Sequence, residues 1–379
     1  MTSRDRMTRA LSGESVIPPP VVLHSWGDYK VEFAGQHPKF QYYQGGRELA
    51  EIERAFHERF KPDWMHLGSA GWRGFWDRAR KVEDGKALLA SADGTRWIEI
   101  RDDYGLDDYG DLPWWGEGPT LELESKAEID DFYAAIAHTE QDILDSGRFK
   151  HMRMLSGPSD RSDGSDRSDT PLIAINDGAP GSWIHGWSFE DTAIACADKP
   201  DLIAYYIYKD CERFLTDVRA AKSCGADAYI FSEGFPGSLD NISPSMHERL
   251  EGDTKRWFYS EVRKIGLLPI GYWLGDVRPN MRLINSLDMA GLMIEESKKT
   301  FTLDPVEIRK ALRPEVCLFG NLDSTLLRLG EPDEIRVEVR RQFRAAQHGP
   351  FVLANGSPIV PGTPVENLDA YMAEARRGC

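Results

Sequence analysis

The sequence predicts an α/β protein built as a (β/α)8 TIM barrel, and three observations carry that reading. From about residue 170 onward, short apolar runs alternate with longer amphipathic stretches, the pattern of strand and helix units around a parallel sheet. Five or six such units follow one another there, and two further strand-like runs upstream bring the count to roughly eight, the number that closes a barrel. The 379 residues, 41% hydrophobic and 11% aromatic, supply a core large enough for one body of more than about 250 residues. The whole chain, 1–379, is therefore expected as a single barrel domain with an N-terminal extension.

The elements follow in order. Residues 21–24 and 64–67 read as the first two strands, with helical spacing over 48–60 between them. Residues 171–176 (PLIAIN) read as a buried strand, and 200–224 as a helix that stops before Gly225, a residue suited to a left-handed C-cap. Residues 228–232 (AYIFS) form the next strand. Ser243 caps the following helix with Pro244 at its first position, Gly266 closes it, and 267–273 is another strand. Residues 290–294 come next. Asp304, Pro305 and Glu307 then spell a helix start in which Asp304 caps and Glu307 reaches back. Residues 316–319 are a strand, Pro332 opens a helix that ends before Gly349, and 351–354 supply the last strand.

Two segments leave this cycle. Residues 97–120 are acidic, aromatic and glycine-rich, an insertion expected to cover the barrel mouth as a lid. Residues 156–170 carry SDRSD twice around Gly164, a polar low-complexity stretch with little to bury, expected as a flexible loop.

Charge narrows the partners. Against 46 Lys and Arg stand 62 Asp and Glu, a net of -16, which opposes nucleic acid and anionic membrane surfaces. The charged opening MTSRDRMTRALSG has no leader-like apolar run, and no apolar stretch approaches the roughly 18 residues that span a bilayer. Five cysteines, Cys196, Cys211, Cys224, Cys317 and Cys379, contain no CxxC pair, so neither a disulfide framework nor a thiolate knuckle is suggested and a reducing, cytoplasmic location is expected.

The C-terminal third adds a family signal: GNLDSTLLRLGEPDEIRVEVRRQFRAA at 320–346 and GSPIVPGTPVENLDAYMAEA at 356–375. With SRDRMTRALSGE at 3–14, RDDYG at 101–105, GADAYIF at 225–231 and ISP at 242–244, these resemble the uroporphyrinogen decarboxylase superfamily across nearly the whole chain. The resemblance implies the same barrel. It does not settle the chemistry, because that superfamily is divided between decarboxylases of a tetrapyrrole and enzymes that move methyl groups between corrinoids and thiols or other acceptors.

The decarboxylase pattern carries an arginine motif after the first strand, an F-S-D at the end of the second, and a late G-H-G. Here no arginine occurs from Val21 to Gln44, the second strand runs into MHLGSAG, and the late motif is Gly356, Ser357, Pro358. The methyltransferase branch carries H-x-C after the fifth strand and a later cysteine, together holding zinc. The matching stretch here runs from Tyr272 to Asp276, and the later cysteine falls on Ser357. Any zinc would need harder ligands, with Glu233, Glu296 and His185 as the candidates.

Strand C-terminal ends form the working face of such a barrel. The residues expected to carry chemistry there are His185, Glu233, Tyr272 and Asp276; those expected to hold substrate are His24, Trp26, His66, Trp183, Trp273, Asn321 and Ser357. Neutral imidazole and carboxylate both serve as acid, base or ligand near pH 7, and tryptophan rings suit a flat organic substrate. Asn321 equally suits a purely structural role in the GNLD turn.

The resemblance and this inventory point to a corrinoid-dependent methyltransferase or demethylase acting on a small aromatic or methylated substrate, with a corrinoid protein as partner. A decarboxylase or lyase using His185 or His66 as proton donor, and a non-catalytic binding barrel, stay open as alternatives.

Overall fold

The computed structural model describes residues 1–70, 73–104, 106, 121–157, 170–176, 178–181, 184, 187–236 and 238–378, with the backbone alone at Arg73. The described residues form ten strands: β1 (Trp64–Leu67), β2 (Arg80–Glu83), β3 (Lys86–Ala90), β4 (Trp97–Glu99), β5 (Leu172–Asn176), β6 (Ala228–Glu233), β7 (Leu268–Trp273), β8 (Gly291–Ile294), β9 (Cys317–Phe319) and β10 (Phe351–Val352). Seven of them, in the order β1-β5-β6-β7-β8-β9-β10, form one curled sheet that is parallel throughout.

The expected first strand, residues 21–24, closes the ring as an extended segment joined by bridges rather than a full ladder. On one side Val22 N–H donates to Leu353 O (2.9 Å) and Leu353 N–H to Pro20 O (2.8 Å); on the other Asp63 N–H donates to Val21 O (2.8 Å). The architecture is thus the α/β barrel that the strand count predicts.

Side-chain alternation sorts the core into two shells. Val22, Trp64, Leu172, Ala174, Ala228, Ile230, Ile270, Tyr272, Met293, Cys317, Phe319, Val352 and Ala354 fill the barrel interior. The intervening positions, among them Leu67, Tyr229, Phe231, Trp273 and Ile294, pack outward against the helices. The N-terminal helix Ser3–Leu11, opened by a reciprocal capping box between Thr2 and Asp5, plugs the lower end with Met7, Ala10 and Leu11. Arg4 fastens it there, gripping Asp227 through two hydrogen bonds of 2.9 and 2.8 Å and the carbonyls of Thr170 and Pro171.

Most expected helix ends hold. Gly225 and Gly266 are left-handed (φ 98° and 90°), and Ser243 Oγ accepts from Met246 N–H at 3.2 Å. Two differ. Asp304 caps by accepting from Val306 N–H (2.9 Å) with no reciprocal bond from Glu307. The helix after Pro244 is interrupted by a π turn over Glu248–Gly252 before resuming as Asp253–Ile265. Leu250 within that turn and Phe258 beyond it are both buried.

Within the expected lid, Gly105 and 107–120 lie outside the described residues. Its beginning is sheet: β4 completes a three-stranded antiparallel sheet, β2-β3-β4, whose buried face packs Ala87, Leu89, Ile98 and Ile100 against Val31, Phe40 and Phe75. Asp84 and Gly85, both at positive φ, make its two-residue turn between Glu83 and Lys86. Of the expected loop 156–170, residues 158–169 lie outside the description. Among the described residues no helix is long and apolar enough to cross a membrane.

Candidate active site

The inward register carries polar groups to the C-terminal mouth: His24 on the closing segment, His66 on β1, Tyr272 on β7, Asn321 beyond β9, and Gly356 beyond β10. Asn355, of the opposite parity with Leu353, lies beside them in the wall. Asn355 clamps the closing segment, its Oδ1 accepting from His24 N–H (2.9 Å) and its Nδ2 donating to His24 O (2.8 Å). The His24 ring meets His66 edge-on at 5.0 Å between centroids and Tyr272 at 4.9 Å, while Trp64 stacks on His66 at 5.6 Å.

Both imidazoles are buried and uncharged. Burial pushes His24 down to about 4, and it holds His66 well below the usual histidine range with the neighbouring His24 and Lys30 adding to the effect. His24 Nδ1 faces Gly356 O (3.3 Å) and His66 Nδ1 faces Ser25 O (2.8 Å), so in each neutral ring Nδ1 carries the proton and Nε2 is a bare acceptor. Neither Nε2 has a partner. Burial, with Glu295 and Glu296 beside it, drives the Tyr272 hydroxyl far above its ordinary value, so it too is neutral.

Next to this layer lies an acidic shelf. Glu296 Oε1 accepts from Ser357 Oγ (2.8 Å) and from Lys298 Nζ, while its Oε2 is buried without a partner. Lys298 also reaches Glu295 Oε1 (3.5 Å), and Glu295 Oε2 accepts from Gly275 N–H (2.8 Å). Gly356 lets the two walls touch: a Cβ there would stand 2.3 Å from Glu296 N and 2.7 Å from its Oε2. Asn321, buried, donates through Nδ2 to Leu303 O (3.1 Å) and leaves Oδ1 free.

The structure thus brings together His24, His66, Tyr272, Glu296, Ser357 and Asn321. Asp276 sits at the rim, held below the usual carboxylate range by Arg278, which bonds it at 2.9 and 2.7 Å. Trp26, 46% exposed, stands just past His24 and Ser25. His185 and Trp183 lie outside the described residues.

Glu233 and Trp273 do not join the group. Each is one residue out of the inward register and points to the outer face of the sheet. Trp273 is wholly buried there. Glu233 pairs with Lys255 Nζ (2.5 Å) and accepts from Tyr259 Oη (3.0 Å) on the helix behind, where burial pushes its carboxyl up to about 7 against the pull of Lys255.

Glu233 and Glu296 therefore face different compartments and cannot share an ion. Among the described residues no three His, Cys, Asp or Glu side chains stand close enough to hold a metal, and Cys196, Cys211, Cys224 and Cys317 are buried as free thiols. The described residues do not by themselves make a site for the zinc ion that the methyltransferase branch implies, and His185, one of the expected ligands, lies outside them.

Two features escape the sequence reading. Asn176 continues the inward series Leu172, Ala174 to the mouth, a placement that strand parity signals. Lys30 is buried against Glu53 (3.0 and 2.8 Å) and donates to His66 O, bracing the strand that carries the second histidine; nothing in its local sequence marks it.

A closed α/β barrel with a polar C-terminal mouth is the class that this fold and site define. The family model for uroporphyrinogen decarboxylase (URO-D) matches residues 186–378, half of the chain, and the protein belongs to that family. Among solved structures, a methyltransferase from Methanosarcina mazei superposes over 100% of this chain and 99% of its own, with TM-score 0.70 and 18% identity. A putative vitamin B12-independent methionine synthase from Listeria monocytogenes aligns over 55% of this chain and 63% of its own, at 13% identity and TM-score 0.34. No curated protein matches the sequence.

Proposed function

We propose that the protein is a methyltransferase that holds a small methylated substrate at the barrel mouth and delivers its methyl group to a corrinoid carried by a partner protein. The observation that carries this reading is the charge of the mouth. Lys298 is neutralised by Glu295 and Glu296 and Arg278 by Asp276, above a layer of uncharged His24, His66 and Tyr272. A tetrapyrrole or other polycarboxylate needs unpaired guanidinium or ammonium groups to anchor it. This mouth offers acidic oxygens instead.

The name of the Methanosarcina mazei neighbour accords with the proposal. In this scheme Asn355 and Ser357 fix the walls, the neutral rings of His24 and His66 accept hydrogen bonds from the substrate, and Trp26 lines the entrance.

The test is anaerobic incubation with cob(I)alamin and a panel of O-, N- and S-methyl compounds, following the absorbance of methylcobalamin. Protein-dependent methylcobalamin formation from any donor is expected. No transfer from the panel, together with carbon dioxide release from carboxylated compounds, would replace the proposal with decarboxylation.

A further inference from the structure

Four hydrogen-bond acceptors at the mouth have no donor: His24 Nε2, His66 Nε2, Glu296 Oε2 and Asn321 Oδ1. Their residues are 0, 4, 6 and 3% exposed, and a buried acceptor left without a donor costs about 1–3 kcal/mol. They share one neighbourhood. The His24 ring touches those of His66 and Tyr272, its Nδ1 faces Gly356 O, and the Gly356 backbone packs on Glu296 Oε2. Asn321 precedes Leu322, which is bridged to Asn355 beside them. The amide and ring assignments are fixed by the opposite atoms: Asn321 Nδ2 faces Leu303 O, and both Nδ1 atoms face carbonyls. Against the four stands one unpartnered donor on the inward register among the described residues, Asn176 Nδ2.

A site so rich in bare acceptors, one of them a carboxylate oxygen, is complementary to a ligand rich in donors and positive charge. We infer that the substrate is a protonated methylamine, a methylated ammonium ion that keeps at least one N–H, bound with its N–H toward Glu296 and the Nε2 atoms of His24 and His66.

The inference rests on the methyl-transfer reading and sharpens it, because it separates two kinds of methyl donor. When a protonated methylamine gives its methyl as a CH3+ equivalent to a reduced corrinoid, the C–N bond breaks, its electron pair stays on nitrogen and a neutral amine leaves. No proton has to be supplied. A methyl ether leaves as an alkoxide or phenoxide and needs an acid at the oxygen. The histidine rings here present bare nitrogens, and with His24 near 4 they hold no second proton to give at neutral pH. The site is built to accept hydrogen bonds and is poorly equipped to protonate a leaving oxygen.

The experiment is calorimetric titration of the full-length protein with four probes: dimethylammonium, trimethylammonium, tetramethylammonium and anisole. The first two are expected to bind, tetramethylammonium at least tenfold more weakly because it has charge without an N–H, and anisole not measurably. Glu296→Gln, nearly isosteric, is expected to weaken trimethylammonium at least tenfold with an unchanged circular dichroism spectrum. Equal binding of trimethylammonium by wild type and Glu296→Gln, equal binding of trimethylammonium and tetramethylammonium, or binding of anisole alone would each overturn the inference. Methyl transfer from anisole without ammonium binding removes the inference and leaves the methyltransferase reading intact; ammonium binding with no methyl transfer from any donor removes the methyltransferase reading and with it the substrate assignment, leaving only an ammonium-binding site.

Discussion

Gly356 is the tightest single-residue constraint at the mouth. Its lack of a side chain lets the strand-end backbone lie against Glu296, and any Cβ would meet backbone nitrogen, which cannot swing aside. Gly356→Ala is expected to destabilise the fold by about 1–3 kcal/mol and to detach Ser357 from Glu296, read as a lower urea midpoint with unchanged m-value and as lost methyl transfer. At this scale the sequence was legible wherever strand ends and family positions coincide, as at His24, His66, Tyr272 and Ser357. It misled at Glu233 and Trp273. Both follow an apolar run and so look like mouth residues, yet parity counted from Ala228 and Ile230, or from Ile270 and Tyr272, turns them outward. The contact that makes Gly356 necessary is between residues remote in sequence, and no local pattern announces it.

Among the elements, the β6 strand and the helix behind it are joined by an ion pair shut away from water. Lys255 Nζ bonds Glu233 and Pro180 O (2.9 Å), and Tyr259 completes the carboxylate. On the same helix pair, within and just before the π turn, His247 Nδ1 faces Glu251 Oε1 at 2.7 Å and its Nε2 faces Leu239 O at 3.1 Å. Lys255→Met strands a buried carboxylate and is expected to cost about 3–5 kcal/mol; adding Glu233→Gln is expected to restore most of it. Chemical denaturation of the two variants checks this, and equal losses in both would mean that the cost of losing Lys255 is not a stranded Glu233 charge. An acid directly after an apolar strand does announce that it needs a partner. Which helix residue supplies that partner depends on the π turn, which a regular period does not anticipate. The small antiparallel sheet was legible in principle from Asp84-Gly85, a type I′ turn pair between two short runs, but its strands alternate weakly and half of their surface is exposed.

For the whole molecule, buried histidines set the response to acid. Burial pushes His24, His57 and His151 down to about 4 and holds His66 well below its ordinary range, whereas the unfolded chain titrates near 6.5. Above about pH 6.5 these rings are neutral in both states and stability is full. As pH falls toward 4 the unfolded chain takes up protons that the folded one refuses, so stability is lost across that window, on the order of 3 kcal/mol each for His24 and His151. Thermal unfolding between pH 7 and 5 is expected to show a steep fall in Tm, and a flat profile would mean that the rings are reached by water. The overall barrel was the most legible level of all, because strand count and helix punctuation are repeated signals and errors at single ends do not change their sum.

The manner of ring closure has a consequence for how the chain is made. The closing segment at residues 20–24 emerges from the ribosome long before its partners on one side, Leu353 and Ile359. Until then the growing sheet has two bare edges, and the plug helix must wait for Asp227 before it can latch. Biogenesis is therefore vectorial only up to an open half-shell, and the cylinder can close only once those distant partners have been made. Until then its bare edges are open to mispairing.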